Sequence, residues 1–520
     1  MPSKRRCGIL CHPTSMPGPY GIGELNDSLY RFIEFLQQAG QTLWQILPLG
    51  PTGYGDSPYQ PFSSFAGNHL LIALDRLIDE GLLAPADVKV EQPFPDDHVD
   101  YGRVIEFKDR VLRHSYYRFK QHAPESLYQE FIAFCDAQES WLEDYALFMA
   151  LKGHFNGRPW IEWPEDIALH REEATARWRN VLSDEVNYHR YLQFQFARQW
   201  QSVRTYAHKA GVTIVGDLPI FVGHDSADVW GNQELFRLDD RGHPYVVAGV
   251  PPDYFSPTGQ LWGNPLYRWK KMRENGYAWW MERLASVFRK VDMVRLDHFR
   301  GFSGYWEVPA GEETAESGRW VRGPGADFLR AVQKRFGGLP IIAEDLGLIS
   351  QDVTELRDAF NLPGMTVLHF AFGGNPANPH LPYNYRHNSV AYTATHDNDT
   401  TVGWYKAEAE DIKDRVRVYT GTDGSAIHWT AIRLVLNSVA DMAIYPLQDV
   451  LGLGTEARMN KPGRPHGNWA WRYPAGALSD GLARFMRQLA TVSGRWEKPK
   501  KEGEEEEEEL LVLEYEEGQE

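Results

Sequence analysis

The sequence predicts a (β/α)8 barrel with large, mostly helical subdomains inserted in its βα loops. Three observations carry this: eight short apolar runs that end in polar or Gly/Pro residues, helical text between most of them, and no GxGxxG after any run. The runs are GILCHP (8–13), TLWQILPLGP (42–51), VTIVGDLPIFV (212–222), DMVRLDHFRG (292–301), PIIAEDLG (340–347), MTVLHFAF (365–372), SVAYTATHDN (389–398) and DMAIYPLQDVLG (441–452). Each is of strand length, and a parallel strand buried on both faces reads as such a run. An open doubly wound sheet is the rival topology, weakened by the missing glycine fingerprint.

Helical spacing of apolar residues marks SLYRFIEFLQQAG (28–40), YLQFQFARQWQSVRTYAHKAG (191–211), YAWWMERLASVFRK (277–290), DFLRAVQKRFGG (327–338) and SQDVTELRDAF (350–360). The stretch between the second and third runs, about 52–210, is too long for a loop and predicts an inserted helical subdomain. A second insertion, about 223–271, is rich in Gly, Pro, Asp and aromatics; after a barrel strand it lies over the active face. The expected organisation is a catalytic barrel over 1–495 and an acidic tail over 496–520. The tail contains six consecutive glutamates, the text of a solvated, disordered segment, with docking of LLVLEY on the body as the alternative.

The 520 residues carry a net charge of −17. From Arg495 onward there are twelve acidic and four basic residues, so the tail holds nearly half of the charge. An acidic body without a Lys/Arg cluster argues against nucleic acid and anionic membrane as partners. Three cysteines without metal-type spacing, Cys7, Cys11 and Cys135, fit reduced thiols and a cytoplasmic protein. The first residues make a poor signal peptide, and no apolar stretch approaches the ~18–20 residues that span a membrane. Eighteen tryptophans serve core packing; their flat faces also suit stacking on the C–H faces of sugars.

Barrel chemistry gathers at the C-terminal ends of strands. Three runs deliver acids there: Asp297, Glu344 and Asp397. One such acid is ordinarily a helix cap or a surface pair. Three at strand ends, flanked by Arg295, His298, Asp345, His396 and Asn398, point to a shared site. Two carboxyl groups about one bond suit glycoside chemistry, one attacking the anomeric carbon and the other giving and retaking a proton. Arg295 lies two residues before Asp297, on the same side of the strand, and its charge would keep Asp297 ionised. Glu344 has a like-charge neighbour in Asp345, although strand alternation should point the two apart, and is the better candidate for the protonated acid. Divalent metal binding is the alternative role for clustered acids, and no HExxH or EF-type loop supports it.

RLDHFRG (295–301), AEDLG (343–347) and THDN (395–398) resemble the catalytic segments of the 4-α-glucanotransferases, the amylomaltase or disproportionating enzyme family of glycoside hydrolase 77 type. GYGDSPYQPFSSFAGN (53–68), GDLPIFV (216–222), PPDYFS…GQLWGNP (251–265) and RPHGNW (464–469) are similar to that family too, in the expected order from about Gly8 to about Arg495. The resemblance implies Asp297 as nucleophile, Glu344 as acid/base and Asp397 as transition-state stabiliser. It implies that Tyr59, Asp217, Arg295, Trp262 and His396 line the cleavage subsites, with His298 beside them. Asp253, Tyr254, Phe255 and Gln260 would lie on a loop over the cleft, and Asn468 would help close the acceptor side. Tyr54 and Tyr101 resemble a secondary glucan site.

The expected activity is transfer of an α-1,4-glucan segment to the 4-hydroxyl of an acceptor, with no cofactor and no metal. The expected partners are maltooligosaccharides and other α-1,4-glucans, handled by a monomer or simple homo-oligomer. An α-glucan hydrolase on the same scaffold and a non-catalytic glucan-binding protein are the alternatives; the presence of all three acids argues against the second.

Overall fold

The computed structural model describes residues 5–252, 256–347, 349–464 and 466–497, without the side chain of Tyr54. Asp253, Tyr254 and Phe255, and the tail from 498 onward, therefore lie outside the described residues. Each of the eight apolar runs contains or overlaps one parallel strand: β1 (Arg6–Leu10), β2 (Leu43–Gln45), β3 (Thr213–Pro219), β4 (Met293–Asp297), β5 (Ile341–Ala343), β6 (Gly364–Val367), β7 (Ser389–Tyr392) and β8 (Met442–Pro446). They pair in the order β6-β7-β8-β1-β2-β3-β4-β5, so neighbours follow chain order around a nearly closed barrel. Between β5 and β6 no regular ladder forms. There Ala343 N–H donates to Pro363 O at 2.9 Å, and Met365 N–H donates to Asp345 Oδ1 at 2.7 Å. A side chain thus completes the ring where backbone pairing stops.

Strand alternation divides the core. Leu10, Leu43, Val215, Ile342, Val367, Val390, Tyr392 and Ile444 meet inside the barrel. Ile9, Trp44, Ile214, Leu296, Ile341 and Ala443 face outward into the helical layer. This double burial is why the strands read as unbroken apolar text. The N-terminal end of the barrel is tied by the buried Arg495, which donates to Leu436 O at 2.7 Å and to Arg6 O and Ala440 O at 2.9 Å.

Between β2 and β3 the chain builds a helical layer that includes Tyr101–His122, Glu125–Ala137, Glu139–His154 and Ser183–Lys209. Lys108, on the first of these, forms a buried ion pair with Glu24 and donates to Ile72 O at 2.7 Å. Gln193, on the last, closes a two-way amide bond with Gly67, at 2.7 and 2.9 Å. Gly67 has to be glycine, because a Cβ there would lie 2.0 Å from the Phe196 ring.

After β3 come strands Val246–Val250 and Gln260–Pro265. They join Gly304–Pro309 and Arg319–Arg322, which follow β4, in a four-stranded antiparallel sheet. The sequence pattern did not mark that last pair. The sheet hangs from the chain leaving the C-terminal ends of β3 and β4, beside Asp297. No described helix is long and apolar enough to cross a membrane.

Candidate active site

Arg295 organises the mouth of the barrel. It is buried on β4, where ladder register places it opposite Asp217 of β3. Its Nη1 donates to Asp217 Oδ2 at 2.5 Å and its Nη2 to Asp297 Oδ1 at 2.8 Å. Tyr59 donates its hydroxyl to the same Asp217 oxygen at 2.8 Å. One guanidinium fork thus fixes two carboxylates, a geometry that a lysine point charge does not reproduce. Asp217 Oδ1 and His298 Nε2 are buried and have no partner among the described residues.

Glu344 follows β5. Its Oε2 accepts the His298 N–H at 2.7 Å and its Oε1 the Leu346 N–H at 2.9 Å. The first bond depends on His298 holding a left-handed backbone (φ 53°), a costly conformation for a residue with a side chain and one that concentrates at functional sites. Asp345 is turned away, paired with Arg357 and the Met365 N–H. The expected like-charge pressure of Asp345 on Glu344 is therefore not what sets its acidity.

Asp397 follows β7. Asn460 Nδ2 donates to its Oδ1 at 2.6 Å, and His396 Nε2 lies 3.3 Å from its Oδ2. Arg458 braces the turn through Asp397 O at 2.6 Å and Asn460 O at 2.7 Å. Neither Asn460 nor Arg458 stands out in the sequence: they lie in a loop after β8, far along the chain from the strand they serve.

Burial acts on all three acids. It pushes the Asp297 carboxyl up to about 6, against the opposing charge of Arg295 and with help from Asp217 and Asp397. Arg295 alone therefore does not set the ionisation of Asp297; desolvation is the larger influence. Glu344 is pushed up to about 7, chiefly by burial, with Arg295 and the backbone N–H groups opposing and Asp297 adding to the rise. For Asp397 burial also raises the carboxyl, but His396, Asn460 and Arg295 outweigh it and hold the group well below its ordinary value. Burial disfavours charge on Arg295, yet Asp217 and Asp297 hold it well above its usual range.

The remaining predicted residues divide. Tyr59 stacks on His396 with ring centroids 5.1 Å apart, and Trp469 packs 5.5 Å from Tyr59. Trp262 meets His298 edge-on at 4.7 Å, and its Nε1 donates to Gln260 Oε1 at 3.2 Å. Asn468 spends its amide on its own loop, accepting from Lys461 N–H at 2.9 Å and donating to Arg464 O at 2.8 Å. Its neighbour Trp469 is the residue that reaches Tyr59 and His396, and the motif RPHGNW carried that signal unread. Tyr101 is buried and donates its hydroxyl to Trp469 O at 3.1 Å, so it braces the same loop. Among the described residues no group of three His, Cys, Asp or Glu side chains is arranged to hold a metal ion.

The family model described as 4-alpha-glucanotransferase, of glycoside hydrolase family 77, matches residues 11–478. This chain belongs to that family. A 4-alpha-glucanotransferase of Synechocystis is 51% identical over 95% of this chain and 99% of its own length. That of Thermus thermophilus is 48% identical over 94% and 99%. The amylomaltase of Streptococcus agalactiae, solved with acarbose, superposes with a TM-score of 0.92 at 37% identity, covering 95% of this chain and all of the other. Like its family, this enzyme transfers segments of α-1,4-glucan.

Proposed function

We propose that Asp297 is the nucleophile, Glu344 the acid/base and Asp397 the stabiliser of the oxocarbenium-like state in a retaining transfer. The observation that carries the reading is the pairing of two unlike carboxyls at adjacent strand ends. Asp297 is held by a guanidinium; Glu344 is held by backbone N–H groups and is the weaker acid of the two. Glu344 gives its proton to the glycosidic oxygen while an Asp297 oxygen bonds to the anomeric carbon and the C–O bond breaks. The shortened chain leaves. The 4-hydroxyl of an acceptor glucan then attacks the same carbon, Glu344 takes its proton, and Asp297 is released. Two inversions give net retention.

Asp217 Oδ1 and His298 Nε2, buried without partners, would be completed by sugar hydroxyls; buried polar atoms in folded proteins nearly always find such partners. Trp262 and Tyr59 would flank the sugar, and Gln260 and Asn468 would act from the rim. The unpaired thiols of Cys7, Cys11 and Cys135 support a cytoplasmic setting.

The test is covalent trapping with a 5-fluoro maltosyl fluoride followed by peptide mass analysis. The glycosyl adduct is expected on Asp297. An adduct on another residue would overturn the assignment, as would an Asp297→Asn variant that disproportionates maltotriose at the wild-type rate.

A further inference from the structure

We propose that Tyr383 and Tyr419 form a second, non-catalytic docking platform for α-1,4-glucan chains. Tyr383 is 60% exposed and Tyr419 37% exposed. Their rings lie 6.4 Å apart at an angle of 38°, so together they offer a bent aromatic surface to solvent.

Both rings are held in place. The Tyr383 hydroxyl donates to Pro376 O at 2.9 Å, and Asn384 Nδ2 reaches the same carbonyl at 2.9 Å. Tyr419 packs edge-on against the buried Phe372 at 5.6 Å. A platform already fixed loses little entropy when a ligand arrives.

The surroundings favour an uncharged ligand. Tyr419 lies in the last turn of the helix Glu410–Thr420, where Arg415 pairs with Asp411 at 3.0 Å, Arg417 pairs with Glu410 at 2.6 Å and Lys413 donates to Lys406 O at 2.9 Å. The two arginines of the last turns are thus neutralised by acids of the same helix. A glucan chain is neutral and presents apolar C–H faces at successive sugars, which two adjacent rings can cover. The segment bearing Tyr383 leaves the C-terminal end of β6, the barrel end that presents Glu344 and Asp397. A long glucan engaged at the mouth can therefore continue towards this surface, whereas a trisaccharide held at the mouth gains nothing from it.

This rests on the enzyme acting on α-1,4-glucans, so one measurement must check that separately. Tyr383→Ala, Tyr419→Ala and the double variant are compared with wild type, with Tyr383→Trp as the variant that keeps a ring. Retardation in amylose-containing native gels is measured with transfer kinetics on amylose and on maltotriose. The expected result is weaker retardation and an amylose KM raised about 3- to 10-fold for each alanine. Maltotriose kinetics should stay at wild-type values, and Tyr383→Trp should keep its hold on amylose. Unchanged amylose binding in the double variant would overturn the platform. Equal losses on both substrates would do the same, as would a change of oligomeric state in place of a change in amylose binding. Wild-type protein inert towards maltotriose would instead sink the glucan reading itself.

Discussion

Asn460 donates its Nδ2 to Asp397 Oδ1 at 2.6 Å, across 63 residues of chain. With His396 on the other oxygen, the carboxylate is gripped from both sides. A hydrogen bond to a charged group is worth about 1.5–3 kcal/mol, and losing it here also frees the carboxylate to rotate. Asn460→Ala should therefore lower kcat/KM on maltotriose by about 10- to 100-fold. The melting temperature should move little, because Asp397 opens to the cleft and water replaces the amide. Wild-type kcat/KM in the variant would remove Asn460 from the machinery.

Arg295 bridges two carboxylates in a buried setting, and deleting one partner of such a network leaves uncompensated charge. Arg295→Ala should cost about 3–5 kcal/mol of stability, measured by denaturant unfolding. Arg295→Lys keeps the charge but cannot fork to both Asp217 and Asp297. It should fold, yet lose about 10²-fold in kcat through misplacement of Asp297. If Lys restores full turnover, charge alone matters and the fork does not.

Why Asn460 escaped notice in the sequence while Asp297 did not is a matter of physics. Asp297, Glu344 and Asp397 follow strands buried on both faces, and that burial writes itself into local text. Arg295 was legible because its partner acid is two residues away on the same strand face. Asn460, Arg458 and Trp469 act through contacts between loops distant along the chain, and an amide or an indole in a Gly/Pro-rich loop has no periodicity to betray it. The antiparallel strands Gly304–Pro309 and Arg319–Arg322 were missed for a related reason. Their outer strand is largely exposed and has no continuous apolar run. Asp345 points away to Arg357, as strand alternation suggests, and the weak acidity of Glu344 comes instead from burial, which no local text records.

The pH dependence follows from the two carboxyls at about 6 and about 7. The proposed mechanism needs Asp297 ionised, so activity should fall as pH drops through the lower value. It also needs Glu344 protonated, so activity falls as pH rises through the upper one. The kcat/KM profile for maltotriose should be a narrow bell between these limits, reporting values of the pair. In Asp297→Asn a neighbouring negative charge is gone, so the Glu344 carboxyl should titrate lower than in wild type, as read by carbon NMR of labelled glutamate. A Glu344 titration that rises or stays fixed would contradict the coupling.

The division of labour predicts how Glu344→Gln should fail. With maltotriose the leaving group is a poor one and needs a proton, so turnover should drop by about 10²–10⁴-fold. With α-maltosyl fluoride departure needs no proton, and Asp297 can still attack; the first step should survive. The second step then stalls, because glutamine cannot take the proton from an acceptor hydroxyl. The glycosyl-enzyme should accumulate and be visible by intact mass. Azide needs no deprotonation, so adding it should release the trapped sugar as the α-glycosyl azide, the configuration that double displacement demands. A β-azide would mean that a single inversion had occurred. An equal loss in maltotriose turnover and in the initial burst of fluoride release would mean that Glu344 does not protonate the leaving oxygen.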